Sequence, residues 1–125
     1  MSDKIIERDV KVSEFYRTWL DYLLPIHKLT KREMDVAAVM LMSLQMLSRK
    51  VRSYRKRCGI LLSLDGRKRL ATYMDLSDEY FSMLYTSLKR KKFITEEGLI
   101  NPLYVPDIVD SQKEYSLTVL FKFTK

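Results

Sequence analysis

The sequence predicts a mainly α-helical domain closed by a small β-hairpin. Apolar residues recur at helical spacing through most of the chain, and an alternating strand pattern is confined to its end. Three Gly and three Pro among 125 residues leave little material for a turn-rich all-β architecture. The length allows one proper hydrophobic core, and contents of 46% hydrophobic and 31% charged residues are ordinary for a globular chain.

Residues 1–28 read as an N-terminal helical extension and 29–125 as the main domain. In the extension, Ser13 caps a helix running to about Leu24, with Phe15, Trp19, Tyr22, Leu23 and Ile26 forming one apolar stripe, and Pro25 ends or kinks it. The stripe has two uses open to it, packing on the next helix or serving as a homodimer seam, and the first is preferred. Thr30-Lys31-Arg32-Glu33 fits a capping box, and Leu29 can staple onto Met34. From Met34 to about Val51 the helix is apolar on nearly every side, so it should run through the centre, its methionines acting as adaptable packing.

Helix character fades into the basic run 49–57, with Gly59 as the stop, and Ile60-Leu61-Leu62 is left for at most one small strand. A helix follows from about Gly66 to Met74. Asp75-Leu76-Ser77 then makes a tight turn, and Ser77 caps a helix to about Lys92 whose buried face is Phe81, Leu84, Tyr85 and Leu88. Phe93-Ile94, a turn at Thr95-Glu96-Glu97-Gly98, and Leu99-Ile100-Asn101-Pro102 come next. Tyr115 to Phe123 alternates as a half-buried strand does.

Charge is segregated. Residues 49–92 hold thirteen Lys or Arg against four acids, and the remainder ten against twelve, so the whole excess of +7 belongs to the middle of the chain. A solvated basic face would give the same count, but such concentration points to a polyanionic partner. The single Cys58 excludes an intrachain disulfide and suits a reducing, cytoplasmic setting. The longest apolar run, Val36 to Leu47, falls short of the roughly 20 residues a bilayer needs, so no membrane partner is expected.

The stretch from Leu62 through Leu76-Ser77-Asp78-Glu79-Tyr80-Phe81 to Leu88-Lys89-Arg90-Lys91-Lys92-Phe93-Ile94 resembles the winged helix-turn-helix family. An apolar residue and Ser at the turn, an apolar residue four positions on, a Leu seven beyond and an apolar pair leading into the wing are filled by Leu76, Ser77, Phe81, Leu88 and Phe93-Ile94. The resemblance covers roughly residues 30–123 and implies that the helix after Ser77 is a recognition helix in the major groove of DNA. It then implies Glu79, Tyr80, Ser82, Met83 and Thr86 as base-edge readers. Arg67, Lys68, Arg69, Lys89, Arg90 and, from the basic run, Arg52, Arg55, Lys56 and Arg57 would be phosphate contacts. Three features depart from the pattern: Asp78 and Glu79 open the helix, Glu96 and Glu97 make the turn acidic, and Asp107 to Glu114 holds three acids and one Lys.

No catalytic constellation is visible. His27 has no Cys or carboxylate at ligand spacing, Cys58 lacks a partner base, and no Gly-rich phosphate loop or Ser-centred elbow occurs. No cofactor or metal is expected. The expected function is non-catalytic DNA binding, as in a bacterial or phage transcriptional regulator. The alternatives are a winged-helix protein–protein assembly module, such as a phage structural or connector component, and a replication accessory. Duplex DNA is the expected partner, with a homodimer or a larger protein assembly open.

Overall fold

The computed structural model describes residues 3–10, 12–106 and 115–122, with backbone alone for 3–10, 12–13 and 115–122. Among the described residues six helices dominate: α1 (Val12–Tyr22), α2 (Leu24–His27), α3 (Lys31–Leu47), α4 (Tyr54–Leu61), α5 (Leu64–Tyr73) and α6 (Asp78–Arg90). A 3-10 turn spans Pro102–Tyr104, and strands β1 (Asp3–Val10) and β2 (Tyr115–Lys122) pair antiparallel, with Asp3 opposite Lys122 and Val10 opposite Tyr115.

Hydroxyl caps start four of the helices. The oxygens of Thr30, Ser53, Ser63 and Ser77 accept from the amides of Glu33, Lys56, Gly66 and Tyr80, each cap being worth about 1 kcal/mol. At Thr30 the reciprocal bond is also made, from its amide to the Glu33 carboxylate at 2.8 Å, so the predicted capping box is present.

α3 is the centre of the molecule. Its Met34, Val36, Ala37, Ala38, Met40, Leu41 and Leu44 are buried. Phe15, Tyr16 and Leu20 of α1 join the same cluster, as do Leu88, Phe93, Ile94, Ile100 and Tyr104 from beyond. Burial of each large side chain stabilises by about 1.5–3 kcal/mol, against about 1 kcal/mol or less for the half-exposed Arg17–Asp35 pair between α1 and α3. Apolar packing therefore seats α1. Trp19 fixes the far side, its indole N–H donating to the Tyr104 carbonyl at 2.9 Å.

Several boundaries differ from expectation. α1 begins at Val12, ahead of Ser13, and ends at Tyr22; Pro25 sits in the first turn of α2, where its missing N–H costs nothing. The buried positions of α1 include Tyr16 and Leu20, which the expected stripe lacks, whereas Ile26 is exposed. α3 stops at Leu47 instead of Val51. Gly59 is no stop: Ser53 opens a separate helix that runs through it, and Ile60-Leu61-Leu62 ends that helix instead of forming a strand. The period explains this, because Cys58 and Leu61, three apart, turn inward together while Ile60 stays out. α5 starts at Leu64, two residues early. The partner of the Tyr115 strand is Asp3–Val10, to which no element was assigned. Between α6 and residue 106 the one pairing among the described residues is a single bridge, Ile94 with Ile100, closed by a turn with Gly98 at φ 81°. The acidic stretch 107–114 and Phe123 lie outside the described residues.

Gly66 is required for a different reason. A Cβ there would stand 2.2 Å from the Leu61 carbonyl oxygen and 2.3 Å from that of Ile60, both backbone atoms that cannot swing away. Gly66→Ala should cost about 1–3 kcal/mol in urea unfolding by forcing α4 and α5 apart, where an unconstrained helical Gly would gain from the change.

Glu33 closes the fold. It is 3% exposed, and its carboxylate accepts from Lys91 Nζ at 2.6 Å, from the Ser87 hydroxyl and from the Thr30 amide. Burial alone would raise its pKa, but these donors outweigh burial and bring the carboxyl down to about 2. A depressed folded-state pKa means stability present above the unfolded value of 4.5 and lost as pH falls toward about 2. Acid titration of unfolding free energy should show this loss across that window, and Glu33→Gln should flatten it while lowering neutral-pH stability by about 3 kcal/mol.

Candidate nucleic-acid interface

α6 is amphipathic. Its Phe81, Leu84 and Leu88 are buried, whereas Glu79, Tyr80, Ser82, Met83, Thr86, Lys89 and Arg90 are all exposed, as the helical phase predicts. Tyr85, expected on the buried face, is only half-buried. It lies at the edge of the α5–α6 contact, where two cations use its ring: the Arg67 guanidinium carbon is 4.8 Å from the centroid and Lys89 Nζ 6.0 Å. Such contacts are worth about 0.5–1 kcal/mol each at an exposed site, and they align side chains from two helices.

A groove of about 720 Å³ opens there, between α5, α6 and the turn after Ile94. It is lined by Arg67, Ser82, Tyr85, Thr86, Lys89, Arg90, Lys92, Ile94 and Glu96. A smaller adjoining hollow adds Lys68 beside Arg67 and the acid Asp78. The groove therefore brings together four cations, two hydroxyls, an aromatic ring and one acid. A phosphate backbone suits such cations, and a base edge suits the hydroxyls.

The remaining predicted contacts lie elsewhere. Glu79 and Met83 line a hollow on the other side of α6, with Glu33 and Ser87 at its back, and Ser82, Thr86 and Arg90 border both hollows. Arg69 turns to another face, among residues of α3 and α4. Arg57 is half-buried; its Nη1 donates to the Val51 and Arg52 carbonyls at 3.0 and 3.1 Å, bracing the α3–α4 connection. Arg55 Nη2 reaches Glu97 at 3.2 Å, while Arg52 and Lys56 are exposed.

The acidic turn meets cations of its own chain. Glu97 pairs with Arg55, and Glu96 stands 4.0 Å from Lys92 at the groove mouth. Both pairs are highly exposed, so they are weak and salt-sensitive. Two contributors had escaped sequence reasoning. Tyr85 was hidden by its i+4 relation to Phe81, and Lys92 is turned by its left-handed φ of 70° just past the helix end.

His27 and Cys58 are structural. His27 is buried; its Nδ1 accepts from the Leu29 amide at 2.9 Å and its Nε2 stands 2.8 Å from the Leu20 carbonyl, which fits the neutral tautomer with Nε2–H donating. Cys58 is fully buried one turn after Tyr54. Tyr54 donates its hydroxyl to the Ile100 carbonyl, and burial, with the Cys58 thiol next, raises its pKa. Among the described residues no group of three or more His, Cys, Asp or Glu could hold a metal ion, and no helix is long and apolar enough to cross a membrane. Comparison of the chain with protein-family models, curated proteins and solved structures yields no match.

If Tyr85 orders Arg67 and Lys89, Tyr85→Leu should keep the helical circular dichroism and cost no more than about 1–2 kcal/mol of stability. It should also weaken any polyanion held in the groove by at least about threefold, measured with heparin.

Proposed function

We propose that this chain is a non-catalytic DNA-binding protein of winged-helix type, acting as a transcriptional regulator with α6 as its recognition helix. The observation that carries the reading is the convergence of Arg67, Lys89, Arg90 and Lys92 on one groove beside the hydroxyls of Ser82 and Thr86. The order α3, α4, α5, short turn, α6 and bridged Ile94–Ile100 turn supports it, because the last stands where the family carries its wing. In this reading α6 enters the major groove by its Ser82–Thr86 side, and Arg67, Lys68, Lys89 and Arg90 hold phosphates. The acidic turn keeps away from the backbone.

Fluorescence anisotropy with random and genomic duplexes tests it. A footprint of about six phosphates should lose about three decades of affinity between roughly 50 and 200 mM salt. Reversal of Arg67 and Lys68 to Glu should abolish binding to every sequence, whereas Thr86→Ala should act on some sequences only. Glu96→Gln with Glu97→Gln should tighten binding about threefold at low salt by freeing Lys92 and Arg55. A flat salt response, or indifference to the Arg67 and Lys68 reversal, would overturn the proposal.

A protein–protein assembly module is the second reading. It is favoured by Asp78 and Glu79 at the start of α6, exposed beside Tyr80 and Met83, the latter at 67%. It expects a defined oligomer or complex in sedimentation and no steep salt slope.

A further inference from the structure

A second groove opens on a different face, between α3, α4 and α5, with a volume of about 560 Å³. Its floor is a stripe of α3, Val39, Met42 and Met46, at the i, i+3 and i+7 spacing of one helix face that neither α1 nor α6 covers. Ile60 of α4 and Tyr73 of α5 form the walls. Met46, Ile60 and Tyr73 are 64%, 44% and 68% exposed. Contiguous exposure of this kind marks interaction surfaces, whereas scattered apolar residues do not. The floor is methionine-rich, and unbranched thioethers repack around varied partners. The walls are rigid, because the contact of Gly66 with the last carbonyls of α4 fixes the α4–α5 corner.

The charge around the groove selects its occupant. Arg69 is the charged residue that lines it. Lys56, exposed, stands one turn before Ile60 on α4, and Asp65, also exposed, one turn before Arg69 on α5; neither lines the groove. A second copy of this chain is disfavoured. A two-fold interface centred here would bring Arg69 toward its own counterpart, and the chain already carries +7. An apolar groove whose one charged lining residue is a cation instead fits an amphipathic helix whose apolar anchors recur at i, i+3 or i+4 and i+7, with a carboxylate beside them.

We propose that the groove between α3, α4 and α5 docks an acidic amphipathic helix of a partner protein, held by Met42, Met46, Ile60 and Tyr73 and oriented by Arg69. The site shares no lining residue with the α5–α6 groove and does not depend on what that groove binds.

The test uses the full chain labelled with carbon-13 at its methionine methyls. The probe is a synthetic helix of about 18 residues, Leu on one face and Glu on the others, and its control carries Lys for Glu. The Glu peptide should shift the Met42 and Met46 methyls saturably and leave Met83, exposed on α6, unmoved. Arg69→Glu should weaken binding at least about tenfold, and Met46→Glu should abolish it. Met46 is already solvent-exposed, so that variant should fold, which thermal unfolding checks; Tyr73→Ser serves in its place if it does not. Unmoved methyls at about millimolar peptide, equal binding of the Lys peptide, or methyl shifts that follow protein concentration together with dimer sedimentation would each overturn the proposal.

Discussion

The fold depends on one buried carboxylate. Glu33 sits in the first turn of α3 and reaches Ser87 and Lys91 at the end of α6, fifty-four and fifty-eight residues away. The same side chain completes the cap on Thr30. It therefore starts the central helix and fastens it to the last one. An isolated carboxylate so deeply enclosed would be costly, but three donors surround it, so the interaction specifies geometry as well as stability. Once the end of α6 is fixed, Phe93, Ile94 and Ile100 insert beneath it, all nearly fully buried. The position of the α5–α6 groove follows from that chain of constraints.

Helices with strong local signals were legible in the sequence. The Thr30–Glu33 box and the i, i+3, i+4 pattern of α6 rest on neighbours along one helix, so periodicity suffices. α4 was not legible. Its residues are largely basic, its apolar period is only two inward positions long, and Gly59 looked like punctuation; Ser53 was the available signal, without an acid three residues later to strengthen it. The pairing of β1 with β2 joins the two ends of the chain, a contact that no local pattern encodes. The exposed face of α6 was read correctly from phase, except at Tyr85, whose half-burial is decided by Arg67 on another helix.

Charge counting overstated the concentration of the basic surface. The run 49–57 and the α5 and α6 cations are one block in sequence, but no residue of the run lines the α5–α6 groove. Arg57 braces a loop, Arg55 meets Glu97, Lys91 serves Glu33, and Arg69 faces the apolar groove. What converges is a smaller set around Arg67, Lys89, Arg90 and Lys92. The distribution places unlike chemistry in two grooves, cationic with hydroxyls in one and apolar with the single cation Arg69 in the other.

The stacking of Arg67 on Tyr85 bears on kinetics. An arginine that waves freely in solvent must surrender rotamer freedom on meeting a ligand, at a cost of about 0.5–1.5 kcal/mol. Here the fold already sets the planar guanidinium of Arg67 over the Tyr85 ring, 4.8 Å from its centroid, so less of that freedom is left to lose. In the proposed function, capture would then need little rearrangement, encounter complexes would mature quickly, and selectivity would have to arise from how long a ligand stays.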